Sequence, residues 1–192
     1  MFFTEGPTQD ALVNEIQQNE YAMHDPYDIA SRFITLHEGG KEYFDENTGM
    51  HTAYADTLVN NLPTLAMGLT GEIGGEPIEI GKQYHTSVVN PAFQAKLQED
   101  YKRLDNALDG SLSSNTFNPN QQASIMSLLY NVGYGNLKGT KAFDALKSGD
   151  LDMFKEEAFG PTGFNKASGE FVQGLQNRRD AERALFDAPI RQ

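Results

Sequence analysis

The chain has 192 residues, with 15 Lys plus Arg against 27 Asp plus Glu, a formal charge of −12 and no cysteine. That length suits one domain with a single sizeable core, and a 39% hydrophobic share belongs to a chain that folds rather than to a disordered one. The acidic balance excludes nucleic acid, which is held by Lys and Arg displacing counterions, and the missing cysteines exclude a disulfide framework and thiolate metal sites.

Residues 1–28 are polar and rich in Gln, Asn and Asp, with a short helical possibility at Ala11 to Gln18; they read as an N-terminal arm. The opening MFFTEGPTQD lacks the basic start and apolar centre of a signal peptide, and no apolar run approaches the roughly 20 residues of a membrane-spanning helix, so no membrane insertion is expected. From Ile29 the spacing changes. Ile29, Phe33 and Leu36 form a stripe at helical period that stops at Gly39-Gly40, which predicts a helix ending at Glu38.

Residues 41–89 carry threonines, glycines, prolines and short mixed runs, the pattern of short strands and turns. Asn90 as N-cap and Pro91 at the first position then predict a helix with Phe93, Leu97, Tyr101, Leu104 and Leu108 on one face. A second helix begins at Asn118-Pro119 and is apolar nearly all round from Ala123 to Val132, as suits a core helix. Two shorter helices follow, with Thr140 and Asp150 as caps, and a last one places Phe171, Leu175 and Leu185 on one face. The predicted class is α+β, with residues 29–192 as one domain.

A glutamate at the C-terminus of a helix meets the negative end of the macrodipole, a setting that favours the protonated acid. Glu38 therefore suits a general acid, although a solvated helix-end residue has the same appearance. Asp56, eighteen positions on, follows a tyrosine in a strand-like run, and Thr64 lies eight further. A pair of carboxyls flanking a cleft, with a hydroxyl beside one of them, is what glycoside hydrolysis needs. The four histidines, His24, His37, His51 and His85, show no metal-ligand spacing, and no metal or other cofactor is expected. Asp45, Asn47 and Gly49 in DENTG read as a polar turn rather than a calcium loop.

The fragments HEGG, AYAD and PTLAMGLT, followed by NPNQQASIMSLLYNVG and GLQNRRDAERALF, resemble the phage-type lysozymes, the muramidases of glycoside hydrolase family 24, from about Ile29 to Phe186. The resemblance implies a lysozyme-like fold in which a small sheet lobe and a larger helical lobe enclose the active-site cleft. It assigns the general acid to Glu38, the positioning or activation of water to Asp56, and help in holding that water to Thr64. It also offers Asn131 and Arg178 (or Arg179) as substrate-binding or supporting groups. The interval from Glu38 to Asp56 is about twice the usual one, so KEYFDENTGMH looks like an insertion, and Asp45 becomes a competitor for the role of Asp56. The implied activity is cleavage of the β-1,4 bond between N-acetylmuramic acid and N-acetylglucosamine in peptidoglycan, without a cofactor. The implied setting is the virion, with the arm docking to other virion proteins, or the host cytoplasm before lysis. A lytic transglycosylase using Glu38 alone, or a non-catalytic lysozyme-like virion protein, remains an alternative.

Overall fold

The computed structural model describes residues 25–38, 41–57, 60–113 and 117–189. Most of the expected arm, residues 1–24, lies outside them. Asp25 caps the first helix by accepting the Tyr27 N–H at 2.8 Å, and that helix, α1 (Pro26–His37), starts three residues before Ile29. Proline at its first position needs no donor, which explains the earlier start. Its buried face is Ile29, Ala30, Phe33 and Ile34, while Leu36 is only partly covered.

The chain divides into two compact units, His37–Lys96 and the remaining residues. The first is the sheet unit. After a 3-10 turn (Lys41–Tyr43), β1 (Phe44–Asp45) and β2 (Met50–Thr52) form a hairpin, and β2 also pairs antiparallel with β8 (Gln83–His85). A second antiparallel sheet has the order β3 (Tyr54–Asp56), β4 (Leu62–Leu65), β5 (Leu69–Thr70), followed by the small hairpin β6 (Glu72–Ile73) and β7 (Glu76–Pro77). Ala53, between β2 and β3, ties the segments together: its N–H donates to the Lys82 carbonyl at 2.9 Å and its carbonyl accepts from Gly81 at 2.8 Å. The segment KEYFDENTGMH is thus a complete hairpin built into a sheet, and Leu65, Leu69, Ile73, Ile78, Tyr84 and Val89 supply buried apolar surface.

The helix α2 (Thr86–Ala107) starts five residues before Pro91, the predicted first position. Nδ1 of His85 accepts the Ser87 N–H at 3.2 Å, and the Thr86 N–H donates to the Gly49 carbonyl at 2.9 Å. These bonds satisfy the first orphan donors upstream of the proline, so Pro91 sits inside the helix at the cost of one ladder bond. The predicted face is correct: Phe93, Leu97, Tyr101, Leu104 and Leu108 are all buried.

The helical unit holds the remaining elements: α3 (Pro119–Val132), α4 (Tyr134–Leu137), α5 (Lys141–Ser148), α6 (Leu151–Phe159), the hairpin β9 (Lys166–Ala167) and β10 (Glu170–Phe171), and α7 (Gln173–Asp187). Asn118 and Gln121 form a reciprocal capping box at the start of α3, and Thr140 and Asp150 cap α5 and α6 as expected. Phe154, Phe159 and Phe186 pack with ring centroids 5.3 to 6.0 Å apart. Phe171 departs from the predicted stripe. It lies in β10 and is 55% exposed, because Ser168 (φ 51°) and Gly169 (φ 84°) turn the chain through a two-residue hairpin before α7 begins.

Candidate active site

Glu38 follows the last residue of α1 directly and is partly buried. Asp56 ends β3, also partly buried, and Thr64 lies in β4 with only 3% of its surface exposed. All three belong to the sheet unit. The register places Tyr54 opposite Thr64 and Asp56 opposite Leu62, so by strand alternation these four side chains share one face of the β3–β4 pair. The Thr64 hydroxyl donates to the Leu62 carbonyl at 3.0 Å. Its proton is committed there, and its oxygen is left to offer lone pairs toward whatever hydrogen donor lies on that face.

Tyr54 links the two carboxylates. Its phenol is pushed up to about 12, first by burial and then by the negative charges of Asp56, Glu38 and Glu42, with Tyr43 contributing last. Glu38 and Asp56, eighteen positions apart in sequence, therefore both lie within electrostatic reach of the Tyr54 phenol. The phenol stays protonated throughout the working pH range and remains a neutral hydrogen-bond donor among carboxylates. Tyr43 lies flat on it, with ring centroids 4.3 Å apart and planes within 8°. The signal for Tyr54 was present in AYAD, since residues two apart in a strand point the same way.

Asp45 has a different occupation. Oδ1 accepts the Asn47 N–H at 2.9 Å and Oδ2 accepts the Thr48 hydroxyl at 2.8 Å, closing the β1–β2 turn. These bonds, the Thr48 hydroxyl first, hold its carboxyl below the usual carboxylate value. The reading of DENTG as a polar turn matches this geometry. Among the described residues no group of three or more metal-ligating side chains is assembled.

Asn131 and Arg178 belong to the helical unit. Both arginines of the NRR stretch point inward, onto Glu182, which is fully buried. Arg178 Nε donates to Glu182 Oε1 at 3.2 Å, and its Nη2 reaches the Ser127 hydroxyl at 3.3 Å. Arg179 Nη2 donates to Glu182 Oε1 at 3.0 Å and to Asn131 Oδ1 at 3.0 Å. Ser127 Oγ completes the set at 2.6 Å from Glu182 Oε1. Asn131 and Arg178 therefore sit in one network binding α3 to α7. Glu182 and Ser127 escaped the sequence reading, though the i, i+4 spacing of Arg178 and Glu182 on a helix pairs opposite charges.

Residues 46–182 match the phage lysozyme family model. The chain belongs to the phage lysozyme family. The matched span contains Asp56, Thr64, Asn131 and Arg178 and begins eight residues after Glu38. Two relatives extend this membership. The chain is 32% identical over 120 residues to the endolysin of Bacillus phage PZA, covering 57% of this chain and 43% of that one. It is 28% identical over 100 residues to the SAR-endolysin of Haemophilus phage HP1 (strain HP1c1), covering 46% and 52%. The chain thus spans about half the length of the curated relatives it matches.

Solved structures of phage enzymes share the fold. The endolysin of Escherichia coli O157:H7 phage FAHEc1 is similar with a TM-score of 0.57 at 20% identity, over 82% of this chain and 90% of that one. The active form of the P1 phage endolysin Lyz gives a TM-score of 0.59 at 15% identity, over 94% and 93%. A mutant of P22 lysozyme gives 0.51 at 24% identity, over 71% and 86%. The α+β, lysozyme-like class expected for a member of this family is the class observed.

Proposed function

We propose that this chain is a peptidoglycan muramidase, hydrolysing the β-1,4 bond between N-acetylmuramic acid and N-acetylglucosamine. The observation that carries the reading is the grouping of Glu38 and Asp56 around the Tyr54 phenol, with Thr64 opposite Tyr54, in a member of the phage lysozyme family. Glu38 is the general acid that protonates the leaving glycosidic oxygen. Asp56 accepts a proton from the attacking water on the other face of the sugar. Thr64 supports the same water through its oxygen, which can accept because its own proton is bound to the Leu62 carbonyl. The names of the relatives, endolysin and SAR-endolysin, favour a wall-directed role.

The setting belongs to the same proposal. Among the described residues no helix is long and apolar enough to cross a membrane. A particle-borne enzyme docked through residues 1–28, rather than one released from the host cytoplasm at lysis, rests on the polar composition of that stretch and on the −12 charge. Mass spectrometry of purified particles tests it, and absence of the chain from them rejects it.

The activity is tested by turbidity clearing of chloroform-permeabilised Gram-negative cells, followed by mass spectrometry of the released muropeptides. Clearing with reducing muramic ends is the expected outcome. Anhydro-muramic ends throughout would assign the chain to the transglycosylases instead, and no clearing at any enzyme concentration would reject catalysis.

A further inference from the structure

The Tyr43–Tyr54 stack does something the carboxylates do not explain. Among the described residues Tyr27 and Tyr101 meet at 73° and Phe154 and Phe159 at 78°, and the Phe44–His51 stack is inclined by 26°. Here the planes lie within 8°, and Tyr43, the outer residue of the pair, keeps 37% of its surface exposed although Tyr54 covers one face of its ring. A parallel pair presents one flat, electron-rich face outward. The inner ring is anchored, because Tyr54 is held opposite Thr64 in the β3–β4 register and lies two residues from Asp56. The outer ring comes from the 3-10 turn five residues after Glu38, within the segment that lengthens the usual glutamate-to-aspartate interval.

Resting on the muramidase reading, we propose that Tyr43 is a sugar-stacking platform that docks the C–H face of a glycan-strand pyranose beside the Glu38 and Asp56 carboxylates. In a gluco-configured β-pyranose the axial C–H bonds of C1, C3 and C5 share one face and are weakly positive, which matches the negative face of a phenol. The muramidase reading selects a peptidoglycan glycan as the occupant, since the same site carries the carboxylates to which that reading gives the work on a glycosidic bond. The lengthened hairpin then adds a binding contact to the site and does not disable it.

The chain contains no tryptophan, so Tyr43→Trp introduces a single emitter at the proposed platform. In a Glu38→Gln background, titration with soluble uncross-linked glycan strands should shift and saturate that emission along the binding curve measured by calorimetry. With Glu38 intact, Tyr43→Ala should raise KM about 3- to 10-fold, the worth of one aromatic contact, while kcat falls less than about twofold. Tyr43→Trp should recover most of that loss. Calorimetric binding with a silent tryptophan, or a Tyr43→Ala defect carried by kcat instead of KM, would overturn the platform while leaving the muramidase reading standing. If the unaltered chain neither binds these strands nor clears cell walls, the muramidase reading fails first and the platform with it.

Discussion

Arg179 and Glu182, three residues apart on α7, meet with Nε 2.8 Å from Oε2 and no exposed surface on either side chain. An ion pair so deep gains little over a well-packed apolar substitute, but losing one partner leaves a charge stranded without water. The pair also holds elements together, since Ser127 donates to the Glu182 carboxylate at 2.6 Å and Ser124 to its carbonyl at 2.7 Å, both from α3.

Glu182→Ala is therefore expected to lose about 3–5 kcal/mol of stability, read from urea midpoints at constant slope. A surface pair provides the contrast. Arg183 Nη2 lies closer to its partner, 2.6 Å from Glu156 Oε1, yet both side chains are well exposed. Arg183→Ala should cost at most about 1 kcal/mol. Equal losses in the two variants would mean that burial does not set the value of these contacts.

What the sequence made legible follows the physics of each signal. Asn118, Thr140 and Asp150 cap the helices they were expected to cap, because a short polar side chain bonding two or three residues ahead is a local event. The buried face of α2 was legible because helical period needs no partner to be read. Its start was not: His85 serves as the capping acceptor, a residue type outside the usual set, and the Gly49 carbonyl that receives the Thr86 N–H lies 37 positions upstream. The stack of Tyr43 on Tyr54 escaped for the same reason, since nothing local sets one ring flat on another eleven residues away. Arg178 (or Arg179) could be offered from sequence as a substrate-binding or supporting group, but the Glu182 carboxylate that both meet needed the packing of α3 against α7.

Gly49 is a position where backbone conformation decides the residue. Its φ of +67° is left-handed, its N–H closes the β1–β2 turn onto the Asp45 carbonyl at 2.8 Å, and its own carbonyl receives Thr86. An added Cβ would stand 3.2 Å from Nε2 of His85, adding crowding to the strain. Gly49→Ala should cost about 1–2 kcal/mol. A thermal midpoint equal to wild type would mean that the turn relaxes to a right-handed form without consequence.

His51 should make stability fall on mild acidification. It is partly buried, stacked on Phe44 at 4.4 Å between centroids, and burial disfavours its charged form, so its folded value lies below the ordinary 6.5. As pH drops below 6.5 the unfolded chain takes up the proton first, and stability present above that pH is lost progressively toward the folded value. Asp45, lowered from 3.8 by its turn bonds, produces its own loss only at still lower pH, below that ordinary value. His51→Phe keeps an aromatic ring on Phe44 and should flatten the thermal-midpoint curve between pH 7 and 5. An unchanged slope would assign the acid sensitivity to other groups.

The carboxylate roles meet their sharpest test in three substitutions measured on one wall preparation. Glu38→Gln retains shape and hydrogen bonding but has no proton to give the leaving oxygen, so activity should drop by roughly 10²- to 10⁴-fold without loss of folding. Asp56→Asn should be comparably severe if this side chain draws the proton from attacking water, and mild, with anhydro products, if the sugar's own hydroxyl attacks. Asp45→Asn is the discriminating control. Asparagine can still accept the Asn47 N–H at its oxygen, and its amide can donate to the Thr48 oxygen, so the turn persists and activity should stay near wild type. An inactive but folded Asp45→Asn beside an active Asp56→Asn would move the water-activating role into the β1–β2 hairpin, leaving Glu38 in place and removing the Thr64 assignment that depends on Asp56.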